Sequence, residues 1–104
     1  MNYLTDKNNK VYLRGEIVTK AEFSHEVYGE SFFEIFVMVK RLSGQADVLP
    51  ITVSERLITD KQLQIGSVIN AIGQFRSYNK LVMGKSKLML TVFVRELLDD
   101  DSVY

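Results

Sequence analysis

Five side chains that suit contact with a polyanion lie close together in the second half of this chain of 104 residues. Cations pair with phosphate groups, and a flat aromatic ring stacks on an unpaired nucleobase. Cations and rings together therefore suit contact with a single-stranded nucleic acid. All five fall within twelve residues: Arg76, Tyr78, Lys80, Lys85 and Lys87. We predict that this segment contacts phosphates and bases. Tyr78 is the first candidate for stacking, and packing on its own hairpin is the structural alternative for this ring.

Five more candidates belong to two earlier segments in which apolar residues alternate. Successive side chains of a strand point to opposite faces, so alternate positions share one surface. The predicted outer faces, or the residue just after them, carry further rings and cations: Tyr12, Arg14, Phe36, Lys40 and Arg41. We include these five in the predicted nucleic-acid surface.

The same alternation assigns the phenylalanines to different faces of the predicted strands. Phe33 and Phe75 fall on predicted core faces, and we expect both to pack inside. Phe32 and Phe36 share the opposite face of a strand that is apolar on both sides, which predicts a partner. We assign Phe36 to the nucleic acid and Phe32 to a subunit interface or a covering loop. Phe93 lies on the outer face of the last strand, and the pattern leaves its role open.

The formal net charge of zero conceals an uneven distribution. Residues 1–60 have a balance of −2, residues 61–95 carry six basic and no acidic side chains, and residues 96–104 have a balance of −4. Such asymmetry says more about the partners of a protein than the total does. A neutral total is therefore compatible with a nucleic-acid partner, and we interpret residues 98–104 as an acidic C-terminal end.

Several classes of protein are excluded by residue types that the chain lacks. It has no cysteine, which excludes disulfides, thiolate metal sites and thiol catalysis, and its single histidine, His25, excludes a two-histidine metal site. Carboxylates surround His25, but no nucleophile or phosphate-binding glycine loop accompanies it. We therefore predict that the protein is not an enzyme and uses no metal or cofactor. The sequence also lacks a membrane span and a signal peptide, so we expect a cytoplasmic protein without membrane contact.

Five segments alternate between apolar and polar residues with the period of a β-strand. They are residues 11–18, 32–40, 48–53, 68–77 and 88–94. Residues 54–63 separate the third segment from the fourth, and Ser54 suits the cap of one or two helical turns there. Around His25 we expect a mobile hairpin. Three strands, a short helical link and two strands together predict an all-β protein.

Antiparallel strands of this number bury their edges best by closing into a small barrel. A five-stranded barrel with a helix between strands 3 and 4 is the oligonucleotide/oligosaccharide-binding fold, or OB fold. A barrel of the SH3 type and an open meander are the alternatives. We expect one domain over residues 1–104, with the barrel in about residues 9–97.

Two segments resemble bacterial single-stranded-DNA-binding proteins. The stretch from Asn9 to Gly15 is similar to their first strand, which opens with an Asn-x-Val-x-Leu-x-Gly pattern. Gly66-Ser67, followed by Gly73-Gln74-Phe75-Arg76-Ser77, is similar to their fourth strand. Residues 49–54 and 86–90 also resemble the family of primosomal replication protein N, a dimeric relative in that superfamily. The resemblance spans about residues 9–97.

The resemblance implies binding of single-stranded DNA without sequence preference, in replication, recombination or repair. It also implies a homodimer or homotetramer and contacts with other replication proteins. The chain departs from the family in having no tryptophan, so tyrosine and phenylalanine must supply the stacking rings. Two other functions stay open: a protein-interaction or oligomerisation module, and a single-stranded RNA binder, since stacking and phosphate contacts serve both nucleic acids.

Overall fold

The computed structural model describes residues 9–60 and 63–98, which form six strands and one short helix. The strands are β1 (Val11–Ile17), β2 (Glu22–Val27), β3 (Glu30–Lys40), β4 (Ala46–Ser54), β5 (Val68–Val82) and β6 (Lys85–Leu98). The helix α1 (Glu55–Asp60) follows β4. Within these ranges, no helix has the length and apolar character needed to cross a membrane.

Five of the strands close into a barrel in the order β1-β5-β6-β4-β3, with β3 returning to β1. Neighbouring strands are antiparallel except for β4 and β6, which pair in parallel through Ile51–Val92 and Thr52–Phe93. Along the chain, α1 follows the third of these barrel strands. This arrangement confirms the predicted OB fold.

Strand β2 lies outside the ring and widens the sheet along β3. It pairs with the first half of β3, from Glu22–Glu34 to Val27–Glu30. A mobile hairpin is the expectation from the sequence here, and the structure instead has a six-residue strand. All six side chains are exposed, so the segment shows no alternation between buried and exposed residues from which a strand is predicted.

The barrel interior is filled by alternate residues of the five barrel strands, as a period of two requires. Ten side chains form this core: Leu13, Ile17, Ile35, Val37, Ile51, Val53, Ile69, Ala71, Val92 and Val94. Most are β-branched residues, which pack well on a pleated surface. Full burial of one such valine, leucine or isoleucine stabilises the fold by about 1.5–3 kcal/mol.

Two glycines occupy places where neighbouring strands approach closely. A Cβ atom on Gly73 would lie 2.3 Å from the carbonyl oxygen of Phe93, and one on Gly15 would lie 2.9 Å from the carbonyl oxygen of Met38. Both distances are shorter than a van der Waals contact with backbone atoms. The glycines that end Asn-x-Val-x-Leu-x-Gly and begin Gly-Gln-Phe-Arg-Ser are therefore needed for strand packing.

Asn9 extends the pairing of β1 with β5 before the first residue of β1. Its side-chain amide donates a hydrogen bond to the carbonyl oxygen of Phe75 and accepts one from the N–H of Phe75, each at 3.0 Å. These bonds reproduce one further step of the ladder that ends at Val11–Gly73. The asparagine of the pattern thus stabilises β5 where it leaves the barrel.

Ser54 ends β4 and caps α1, as predicted. Its Oγ accepts a hydrogen bond from the N–H of Arg56 at 3.3 Å and donates one to the carboxylate of Glu30. Arg56 also donates to Glu30 at 3.0 Å. The bonds from Ser54 and then from Arg56 lower the pKa of the Glu30 carboxyl group. One carboxylate therefore joins the start of β3 to the helix.

Two hairpins carry charge of opposite sign. Residues 22–34, here called the acidic hairpin, contain four glutamates and no lysine or arginine. Residues 76–91, here called the basic hairpin, contain four cations and no carboxylate: Arg76, Lys80, Lys85 and Lys87. Both hairpins close with a two-residue turn in which both φ angles are positive, at Tyr28-Gly29 and Met83-Gly84. Such turns match the twist of the strands that they join.

Candidate nucleic-acid interface

The acidic and basic hairpins face each other across a groove of about 650 Å³. Residues of β2 and Glu34 of β3 line one side, and residues 76–81 of β5 line the other. Between them lie Thr52 of β4 and two residues of β6, Thr91 and Phe93. Ligand sites commonly measure about 300–1,000 Å³, so the groove has room for a nucleobase with part of its backbone.

A row of planar groups crosses this region. The ring of His25 is stacked on Phe32, with centroids 4.9 Å apart and an interplanar angle of 13°. Phe32 in turn contacts Phe93, with centroids 5.4 Å apart, and the guanidinium of Arg76 lies 4.1 Å from the centroid of Phe93. A cation over an aromatic face at this distance is stabilised by about 0.5–1 kcal/mol at an exposed site. The row therefore holds Arg76 in place at the half-buried ring of Phe93.

Tyr78 connects the two hairpins. Its hydroxyl donates a hydrogen bond of 3.0 Å to Oε2 of Glu34, which lies 44 residues away along the chain. Partial burial, followed by this bond to a carboxylate, raises the pKa of the Tyr78 hydroxyl. The ring is therefore not packed only on its own hairpin, which was the structural alternative. It lines the groove at a fixed position, as a stacking surface requires.

The lysines of the basic hairpin are close to one another across the ladder. Lys80 lies directly opposite Lys87, and Lys85 lies opposite Val82 next to the turn. All three side chains are exposed. Like charges directly opposite each other destabilise a strand pair, so a bound anion would relieve this repulsion. Lys80 lines the groove, and the other two lysines continue its cationic wall outwards.

Tyr12 and Arg14 do not line the groove. They are exposed on the outer face of β1, and Tyr12 lies opposite Ile72 of β5. Arg14 donates a hydrogen bond of 2.9 Å to Oδ1 of the buried Asn70. A DNA-binding role for Tyr12 and Arg14 stays a prediction, on a surface separate from the groove.

The remaining candidates follow β3 away from the groove. Phe36 is half-buried and lies opposite Pro50. Lys40 is six residues beyond Glu34, which is about 20 Å along a strand. Arg41 forms a two-pronged ion pair with Asp47, with N–O distances of 2.7 and 2.6 Å. These hydrogen bonds lower the pKa of Asp47 and raise that of Arg41, and roles for Phe36, Lys40 and Arg41 in binding stay predictions.

A solved structure of the dimeric N-terminal domain of the PriB protein from Thermoanaerobacter tencongensis is similar to this chain. The two share 47% sequence identity, with a TM-score of 0.76, over 88% of this chain and 94% of the PriB chain. The chain belongs to the PriB family. The resemblance to the single-stranded-DNA-binding superfamily, drawn above from short sequence patterns, is thereby confirmed.

A second similar structure is the mitochondrial single-stranded DNA binding protein Rim1 of S. cerevisiae. It is 15% identical, with a TM-score of 0.66, over 86% of this PriB-family chain and 91% of the Rim1 chain. At that identity the similarity concerns the fold alone. No family model and no curated protein sequence matches the chain.

Sequence reasoning missed several groove residues of this PriB-family protein. Phe23 and His25 are not predicted as groove residues because the sequence pattern does not predict β2. Glu34 is not predicted because the pattern shows it only as one polar position of an alternating strand. The pairing of β2 with β3 brings all three to the groove. The signal available in the sequence was a phenylalanine and a histidine placed among glutamates. This combination is unusual for a simple solvated loop.

Phe75 and Phe33 differ from their predicted core positions, whereas Phe32 lies under a cover, one of the two alternatives predicted for it. Phe75 was expected in the core and is 52% exposed, because β5 continues past its pairing with β1 at that point. Phe32 was expected at a subunit interface or under a covering loop, and it is 8% exposed beneath His25 and beside Phe93. The acidic hairpin is thus the cover. Phe33 is half-buried, in an edge-to-face contact with Phe23 at 6.1 Å.

Proposed function

We propose that this protein binds single-stranded DNA without strong sequence preference, in replication, recombination or repair. Membership of the PriB family supports this function, and the observation that carries it is the groove between the two hairpins. There a wall of cations faces a row of aromatic rings, the combination that single-stranded nucleic acid needs. The protein acts by binding alone, and catalysis has no part in the proposal.

The proposed path of the strand follows from the arrangement of charge. Phosphates contact Arg76 and the three lysines of the basic hairpin, because cations attract the backbone regardless of sequence. Bases turn into the groove toward the rings of Tyr78 and Phe93. Each base that stacks on an aromatic side chain contributes about 1–3 kcal/mol, and every base has a face that stacks. The weak sequence preference is a consequence of these two interactions.

The test of this function is a titration of fluorescently labelled oligo-dT at several salt concentrations. We expect binding at low salt that weakens steeply as salt increases, because bound cations displace counterions from the phosphates. Duplex DNA of the same length should compete poorly, since its bases are already stacked. Absence of binding at low salt, or equal competition by duplex, would contradict the proposal. Oligo-U run in parallel decides between DNA and RNA.

We also propose that the protein is a homodimer in the cytoplasm, built from a single domain. The similar PriB structure is dimeric, which supports this assembly. The face of the β5–β6 strand pair that points away from its lysines exposes four apolar side chains by 52–76%: Phe75, Leu81, Leu88 and Leu90. Exposed apolar surface of this kind commonly contacts protein. Light scattering coupled to gel filtration should give twice the mass of one chain.

Phe93→Ala is expected to weaken binding of oligo-dT about tenfold, through loss of one stacking surface and of the support for Arg76. The measurement is the same fluorescence titration at low salt. Phe75→Ala is the control, because Phe75 is an exposed ring on the opposite face of the β5–β6 strand pair. Equal losses in both variants would show that ring removal acts through hairpin stability and not through stacking.

A further inference from the structure

Glu34 places a carboxylate on the side of the groove that faces the cations of the basic hairpin. It lies on β3 between Glu22 of β2 and Thr52 of β4, and all three residues line the groove. Tyr78 donates to one oxygen of this carboxylate, Oε2, at 3.0 Å. The second oxygen, Oε1, keeps its capacity to accept a hydrogen bond, since an ionised carboxylate offers about four acceptor positions.

The position of the carboxylate relative to the cations separates the two parts of a bound strand. Lys80 and Arg76 lie on the opposite wall, and phosphates are drawn to that side. Glu34 therefore meets bases and not phosphates, which it would repel. Tyr78 extends from the wall that carries the cations, and its hydroxyl reaches Glu34 on the other side, so a base stacked on its ring turns its hydrogen-bonding edge toward Glu34.

A carboxylate distinguishes bases because it only accepts hydrogen bonds. Cytosine carries an amino donor at the ring position where thymine carries a carbonyl acceptor. The amino group can donate to Oε1 of Glu34, whereas thymine places a carbonyl of like partial charge at that position and can donate only from its ring N–H. Glu22, directly opposite Glu34 across the β2–β3 ladder, adds a second negative charge, and a donor from the base relieves this repulsion.

We propose that Glu34 is a specificity-determining residue that makes the groove favour bases with an exocyclic amino group, cytosine over thymine in particular. The inference rests on the proposed binding of single-stranded DNA and adds a preference to it. Stacking and phosphate contacts contribute equally for the two pyrimidines. The difference between them therefore comes from the single polar contact at Glu34.

The experiment compares labelled oligo-dC and oligo-dT of equal length at neutral pH and low salt. We expect the wild-type protein to bind oligo-dC about tenfold more tightly, the effect of one hydrogen bond to a charged group. Glu34→Gln should bring the two affinities to within about twofold, because an amide both donates and accepts and so serves either base. Glu96→Gln removes the same charge from an exposed position on β6 outside the groove lining, and the preference should persist.

Equal affinities of the wild-type protein for the two oligonucleotides would overturn the preference while leaving DNA binding intact. A preference that survives Glu34→Gln would overturn the role of Glu34. Failure of both oligonucleotides to bind would instead remove the proposed function itself, together with this inference. The comparison on wild-type protein needs no variant, so the proposal stays testable even if Glu34→Gln does not fold.

Discussion

Replacing Lys80, Lys85 and Lys87 together by glutamine is expected to lower the affinity for oligo-dT roughly a hundredfold or more at low salt. All three side chains are exposed on one hairpin, and the structure shows no ion pair for them within the described residues. Each lysine that contacts a phosphate releases a bound counterion from single-stranded DNA. The slope of log affinity against log salt should therefore become shallower by about 2, at roughly 0.7 per phosphate contact.

The control for this variant carries the same change of charge elsewhere. Lys10, Lys20 and Arg95 are also exposed, and none of them lines the groove. Their replacement by glutamine should reduce affinity only modestly and leave the salt slope almost unchanged. If the two triple variants lose affinity equally, the effect comes from the net charge of the protein, and the basic hairpin is not the phosphate-binding surface.

Gly73→Ala is expected to lower the free energy of unfolding by about 3 kcal/mol, at the upper end of common point substitutions. The new Cβ would lie 2.3 Å from the carbonyl oxygen of Phe93 and 3.0 Å from its carbonyl carbon. Neither atom can move without separating β5 from β6, the strands that form the basic hairpin. Urea denaturation followed by circular dichroism measures the loss.

Gly84→Asn is the matched substitution in a glycine of the same hairpin. Nothing lies within 4 Å of a Cβ at Gly84, and asparagine tolerates the positive φ of 80° better than other residues do. We expect a much smaller loss of stability there. A loss at Gly73 no larger than at Gly84 would mean that the strands adjust to a side chain at little cost.

The barrel could be predicted from the sequence because burial and alternation agree there. On β3 and β4, for example, Ile35, Val37, Ile51 and Val53 repeat at every second position and all are fully buried. Helix α1 was predictable from Ser54, whose side chain accepts a bond from the first turn. Local chemistry is sufficient in both cases, since neither depends on where distant segments meet.

The site was predicted only in part, because its geometry depends on contacts between distant segments. Arg76, Tyr78 and Lys80 were recognisable as a local cluster, and they do line the groove. The opposite wall was not predictable, since Glu34 and Tyr78 are 44 residues apart and meet only after the barrel closes. Phe75 is a second residue whose surroundings the local pattern does not determine. Its alternation is that of a core residue, but the barrel ends before it.

The two-residue turn of the basic hairpin has a consequence for how the length of this hairpin can change. One extra residue in either arm would exchange the faces of that arm beyond the insertion and place lysines where Leu81 and Leu88 now lie. Two extra residues in each arm would instead keep every face and extend the hairpin by about 7 Å. Its reach can therefore grow or shrink only in such steps, and each step would alter the length of strand that the proposed surface covers while the chemistry of the surface stays the same.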